Sequence, residues 1–206
     1  MTGGYILCEY EQVKKNFPEF ARTMSSLRTA LIAKATADWS PKSFGGLAPT
    51  SAQFGETTIL PALFRGLGQV FSAAPVAGTN SLQTWHQFYN AVGSQMILQG
   101  VRQGGVIPED YKIGLAGLAF LDKAIRISEI KMQISDKKLP RINIEEALAY
   151  NKPAIIFEDG YILDEETGFD LHAFITTRGP QRILPIGLQL NRVPNRLQVT
   201  NTGAVI

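Results

Sequence analysis

The sequence predicts an α+β fold: a mainly helical body over about residues 1–140, followed by an antiparallel β meander. Two observations carry that expectation. Apolar residues recur three and four apart in several windows of the first two thirds, which is the period of a one-sided helix. Past Pro153, short apolar runs alternate with turns containing Gly, Asp and Pro, which is the pattern of hairpins. A third feature qualifies the helical body. Residues 57–108 contain no Asp or Glu, and their only formal charges are Arg65 and Arg102. Charged side chains are rarely buried unless paired, so water-facing segments normally carry them. A segment this poor in charge packs on its own core, a partner or lipid.

Taken in order, residues 4–10 make a short strand. Asn16-Phe17-Pro18-Glu19 reads as a helix start, with Asn as the cap and Pro near the first turn. Phe20, Met24, Leu27, Leu31 and Ala35 then fall at helical spacing and bury one face to about Asp38. Arg22, Arg28 and Lys34 spread around this helix, which favours a solvated surface over a basic stripe for nucleic acid. The stretch from Trp39 to Thr50, rich in Ser, Pro and Gly, is a loop by composition. Residues 58–71 form a short interrupted helix and 74–81 a turn. Ser81 caps a helix over 82–99, on which Trp85, Phe88, Val92 and Met96 repeat at three and four. Asp110 caps the next helix, from 111 to about 135. Between Ile113 and Ile127 it is apolar on most sides, which places it at the centre of a core or an interface.

The character changes near Pro140. Residues 143–151 form a short capped helix. Apolar runs at 154–157 and 161–163 flank Asp159-Gly160, a strong short hairpin signal. A turn at Glu166-Thr167-Gly168 leads to a strand over 169–177, and a turn over 178–181 to a strand over 183–190. Pro185 demotes that last strand to an edge strand or a bulge. A final short strand spans 197–200. The expected organisation is a helical body, 1–140, containing the charge-poor segment 57–108, and a β lobe, 141–206, sharing one core with it.

At 206 residues the chain can build one good core. A net charge of +2 gives no wholesale attraction to nucleic acid or anionic membrane. The N-terminal residues lack the basic region and apolar core of a signal peptide. The window 59–78 has the length of a membrane span, but Pro61, Arg65 and Pro75 interrupt it, so no stable membrane insertion is expected. The single cysteine, Cys8, excludes an internal disulfide and reads as a small buried hydrophobe.

Groups of catalytic type concentrate at one place, where Glu158, Asp159, Asp164, Glu165, Glu166 and Asp170 crowd the β turns. Beyond Asp170 no acid remains, while Arg178, Arg182, Arg192 and Arg196 do. Carboxylates gather naturally at solvated turns, and the cluster lacks the spacing of a calcium loop. One subunit's acidic hairpin could instead meet another subunit's arginines. Asp170 and His172 are two apart in a strand and share a face, as an acid–base dyad would, yet no Gly-x-Ser-x-Gly element supplies a nucleophile. His86 has no nearby acid in sequence, and no phosphate-binding glycine motif is present.

These observations lead to the expectation of a non-enzymatic structural subunit of a repeating assembly, of viral or phage coat type. Its partners are copies of itself, and no cofactor or metal is expected. Candidate interface residues are Trp85, Phe88, Asp164, Glu165, Arg192 and Arg196. The alternative is a protein coating single-stranded nucleic acid, with Arg65 and Arg102 beside stacking aromatics. A second alternative is a small hydrolase using Asp170 and His172.

Overall fold

The computed structural model describes residues 4–43, 54–59, 85–99, 107, 109–122 and 124–192. Strand β1 (Tyr5–Cys8) leads through the short helix α1 (Tyr10–Lys14) into the long helix α2 (Pro18–Ser43). Strands β2 (Phe54–Thr58), β3 (Trp85–Tyr89), β4 (Gly93–Gln99), β5 (Tyr111–Phe120), β6 (Ile127–Ile134), β7 (Lys137–Lys138) and β8 (Ile142–Asn143) follow. Helix α3 (Glu145–Ala149) then precedes β9 (Ala154–Leu163), β10 (Phe169–Ile175) and β11 (Gly179–Arg192).

The strands form two antiparallel sheets. One has six strands, in the order β1-β9-β5-β11-β2, with β3 also paired to β11; the other has five, in the order β4-β10-β6-β7, with β8 paired to β6. Ile113, Leu115, Leu118 and Phe120 of β5, with Ile155 and Phe157 of β9, share one buried cluster with Ile130 and Met132 of β6 and Leu171, Ala173 and Ile175 of β10. The sheets therefore pack face to face around the main core. Helix α2 covers the other face of the six-stranded sheet. Its Phe20 and Leu27 pack with Ala116, Ala119 and Ile156, and its Leu31, Ala35 and Trp39 pack with Leu188 and Leu190.

A mainly helical body before residue 140 is thus not what forms; the molecule is rich in sheet, and the α+β class survives only in its looser sense. The 111–135 segment is β5 and β6 joined by a turn. Strand β5 is buried on both faces, between the second sheet and α2, so its sequence reads as a continuous apolar run. Such a run cannot be told from a buried helix by periodicity alone. The 82–99 segment is also not a helix. Its Trp85/Phe88/Val92/Met96 spacing spans two strands, β3 and β4, that belong to different sheets. At the start of β4 Gly93 takes φ +102, a left-handed backbone conformation that suits glycine.

Other expectations fare better. Strand β1 and helix α2 lie close to where the sequence puts them, but α2 continues to Ser43, so residues 39–43 are helix and not loop, and Trp39 is buried on its inner face. Asn16 does not cap α2; it ends α1 with φ +53, and α2 begins at Pro18. The helix near 143–151 is α3, where the Asn143 side chain accepts a hydrogen bond from the Glu145 N–H at 2.9 Å.

The Asp159-Gly160 pair makes no hairpin. Strand β9 runs straight through it, with a bulge opposite β5 where pairing jumps from Leu115–Tyr161 to Gly117–Ile156. Thr23 of α2 donates its hydroxyl to the Glu158 carbonyl at 2.9 Å across that bulge. Pro185 sits beside a bulge, as its lack of an N–H suggests, but β11 is central and not an edge. One side of β11 pairs with β5 from Ile183 to Asn191. The other pairs with β3 at 179–183 and with β2 at 188–192, leaving Pro185 between the two partners. The elements expected at 60–81 and 197–200 lie outside the described residues.

Candidate functional site

The most concentrated chemistry in the fold surrounds Lys112. This residue opens β5 on the face turned toward α2, and its side chain is completely buried. The register fixes its neighbours: Ile113 pairs with Leu163 of β9, so Asp164 and Glu165, just past that strand, come alongside Lys112. On α2, one turn separates Lys34 from Asp38, and both reach the same point from above.

The amine Nζ of Lys112 donates to Asp38 Oδ2 at 2.7 Å and is in direct contact with Asp164 Oδ1. Glu165 Oε1 is 3.9 Å away, and the Trp39 ring centroid 5.2 Å. Lys34 Nζ lies 2.7 Å from the second oxygen of Asp164. Glu165 is held in turn by Trp39 Nε1 at 3.3 Å and by the Asp110 backbone N–H at 3.1 Å. Asp110 has φ +71, and its carboxylate pairs with Arg192 at 2.5 Å.

The electrostatics follow from this packing. Burial pushes the Asp164 carboxyl up, but hydrogen bonds from Lys112 and Lys34 outweigh it and hold the group below its usual range. The bond to Asp164 likewise holds the Lys34 ammonium above its usual range, against a smaller opposing effect of burial. A buried ammonium costs several kcal/mol of lost hydration, roughly, and is tolerable only when paired and hydrogen-bonded. Here three carboxylates and an aromatic face supply that compensation.

The residues singled out in sequence are placed as follows. Asp164 and Glu165 carry intrachain contacts to Lys34, Lys112 and Trp39, and Arg192 pairs with Asp110. Arg182, from the same arginine-bearing tail, pairs with Asp122 at 3.0 Å. Phe88 on β3 is 43% exposed. Trp85 pairs through its backbone with Ile183, and His86 with Arg182. Arg65, Arg102 and Arg196 lie outside the described residues. Asp170 is buried and His172 half-buried on β10; their cross-strand neighbours are Gln133 and Lys131 on one side and Gln99 and Met96 on the other. None of those four is a serine, threonine or cysteine. Among the described residues no group of three or more His, Cys, Asp or Glu is arranged to hold a metal ion, and no helix is long and apolar enough to cross a membrane.

Sequence reasoning missed Lys112, Asp38 and Trp39. The available signal was a lone lysine at the head of an apolar run, because such a residue must find carboxylates once the run is buried.

A second feature lies at the open ends of the sheets. Strands β3 and β4 are both terminal, one in each sheet, and both come from the charge-poor segment. Strand β4, Gly-Ser-Gln-Met-Ile-Leu-Gln, carries no charge, and no described strand pairs with its outer side. Phe88, Val92 of the connecting turn, and Phe174, which pairs opposite Ser94, are the large exposed apolar side chains of this region. The opposite end of the same sheet is β7, whose two residues are the exposed lysines 137 and 138. No known protein family, curated protein or solved structure matches this chain.

Proposed function

We propose that this protein is a non-enzymatic structural subunit of a repeating assembly of its own copies, of coat or capsid type. The observation that carries this reading is the uncharged terminal strand β4 with Phe88, Val92 and Phe174 around it. Exposed edge strands present unpaired N–H and C=O groups, and soluble monomers blunt them with lysines, prolines or bulges. Strand β7 carries that protection, with Lys137 and Lys138; β4 has neither charge nor proline, and its one bulge, at Ile97, leaves Gly93–Met96 in regular pairing. An edge without such protection is expected where something covers it, and exposed apolar side chains beside it are those of an association surface.

The ion pairs of Asp164 with Lys34 and Lys112, and of Arg192 with Asp110, give these groups a role inside the subunit. In this reading the interface rests instead on backbone pairing and apolar contact. Association is accordingly expected to persist at high salt, because screening weakens exposed charge pairs and leaves apolar burial intact. Sedimentation velocity of the full chain at low and high salt tests the proposal. Large oligomers at both are expected. A single species of 22.6 kDa at high protein concentration would refute it.

A further inference from the structure

The geometry points to a covalent amide between Lys112 Nζ and Asp164 Cγ, an isopeptide bond that ties β5 to the chain just beyond β9. This inference is independent of the assembly reading. It rests on six groups brought together by the fold. The amine that would attack is wholly buried and already touches the carboxyl group that would acylate it. Asp38 accepts from the same amine at 2.7 Å. Lys34 lies 2.7 Å from the other Asp164 oxygen. The Trp39 ring covers one side of the amine, its centroid 5.2 Å from Nζ. Glu165, 3.9 Å from Nζ, is pinned by Trp39 and the Asp110 N–H.

Four of the groups have a task in the condensation, and Trp39 and Glu165 flank the amine. At rest the cluster is ionic, held so by the hydrogen bonds to Asp164, and the reaction passes through a minor neutral form reached by proton transfer within the touching pair. One proton passes from Nζ to Asp164 Oδ1, the atom it touches, giving an amine beside a carboxylic acid. Nζ then bonds to Cγ while Asp38 takes a second amine proton. Charge that develops on Oδ2 faces the Lys34 ammonium, a cation already in place where the oxyanion forms. Collapse of the intermediate breaks the Cγ–Oδ1 bond, and Oδ1 leaves as water with the proton from Asp38. One amide forms and one water is lost. No oxidant, reductant or activating group is needed. Holding both partners in contact replaces a bimolecular encounter with an internal step. A single turnover in the life of each chain suffices, so a slow reaction is enough.

Intact-mass spectrometry of the full chain, purified natively and then denatured, reads the outcome. The expected mass is one water below the sequence mass. Tryptic digestion is expected to give a branched peptide joining Lys112 to Asp164, with no cleavage after Lys112. Lys112→Arg and Asp164→Ala are each expected to restore the sequence mass, and the wild-type result decides even where a variant does not fold. Closure of Asp159-Gly160 to a cyclic imide would lose the same water, so the position of the loss matters. A loss mapping to Asp159, or the full sequence mass after prolonged incubation of folded protein, would overturn the proposal.

Discussion

At the scale of single residues, Cys8 shows how burial converts into pH dependence. Its side chain is 1% exposed at the end of β1, with Sγ 3.7 Å from the Ala154 carbonyl oxygen. Burial pushes the thiol up from 9.0 to about 11, against a small opposing influence of Lys152. The raised folded value sets the sign. Below the unfolded value the thiol is protonated in both states and its contribution to stability is complete. As pH rises from 9 toward 11 the unfolded chain releases a proton that the folded chain keeps, and stability falls. A two-unit difference corresponds to roughly 2–3 kcal/mol. Urea unfolding midpoints of the wild type should therefore fall across this range, and Cys8→Ala should fall less by about that amount. Parallel curves for the two proteins would show that the thiol does not titrate as its burial implies.

At the scale of the element, β5 explains both what was legible in the sequence and what was not. The helix α2 was readable because one face meets the sheet and the other meets water, which imposes a period of three to four on Phe20, Leu27, Leu31 and Ala35. Strand β5 meets protein on both sides, so nothing in its composition alternates, and the run from Ile113 to Phe120 looks the same in either conformation. Its glycines were the overlooked sign. A Cβ at Gly117 would lie 2.2 Å from the Ile155 carbonyl oxygen, whereas one at Gly114 would meet the end of the Leu31 side chain at 2.7 Å. Backbone cannot swing aside as a leucine tip can. Gly117→Ala is expected to destabilise by on the order of 3 kcal/mol and Gly114→Ala by about 1 kcal/mol, as overpacked sites do. Denaturant midpoints for the pair check the ranking, and equal losses would place the tight contact elsewhere. The Lys112 site was illegible for a related reason. Its three carboxylates come from α2 and from the end of β9, which only the register of two strands and the crossing of a helix bring together.

At the scale of the whole molecule, the described part of the charge-poor stretch includes the two terminal strands β3 and β4, one at an open end of each sheet. Tyr89, Ile97 and Leu98 of these strands are in the core and must be apolar, but Phe88, Ser94 and Val92 of the connecting turn face outward, where packing imposes no such need. A lysine at position 94 should therefore leave the fold intact while guarding the edge as Lys137 and Lys138 guard β7. Ser94→Lys is expected to weaken self-association at least tenfold, or ~1.4 kcal/mol per contact, with unchanged thermal unfolding of the isolated subunit. Lys137→Arg, at the far end of the same sheet, keeps that edge charged; it is the matched control and should alter neither quantity. The two variants separate an edge that carries the assembly from a surface that merely lacks charge. If Ser94→Lys assembles as the wild type does, β4 is not where copies meet. If it unfolds, the outer side of β4 is covered from within the chain, and the bare edge has an internal explanation.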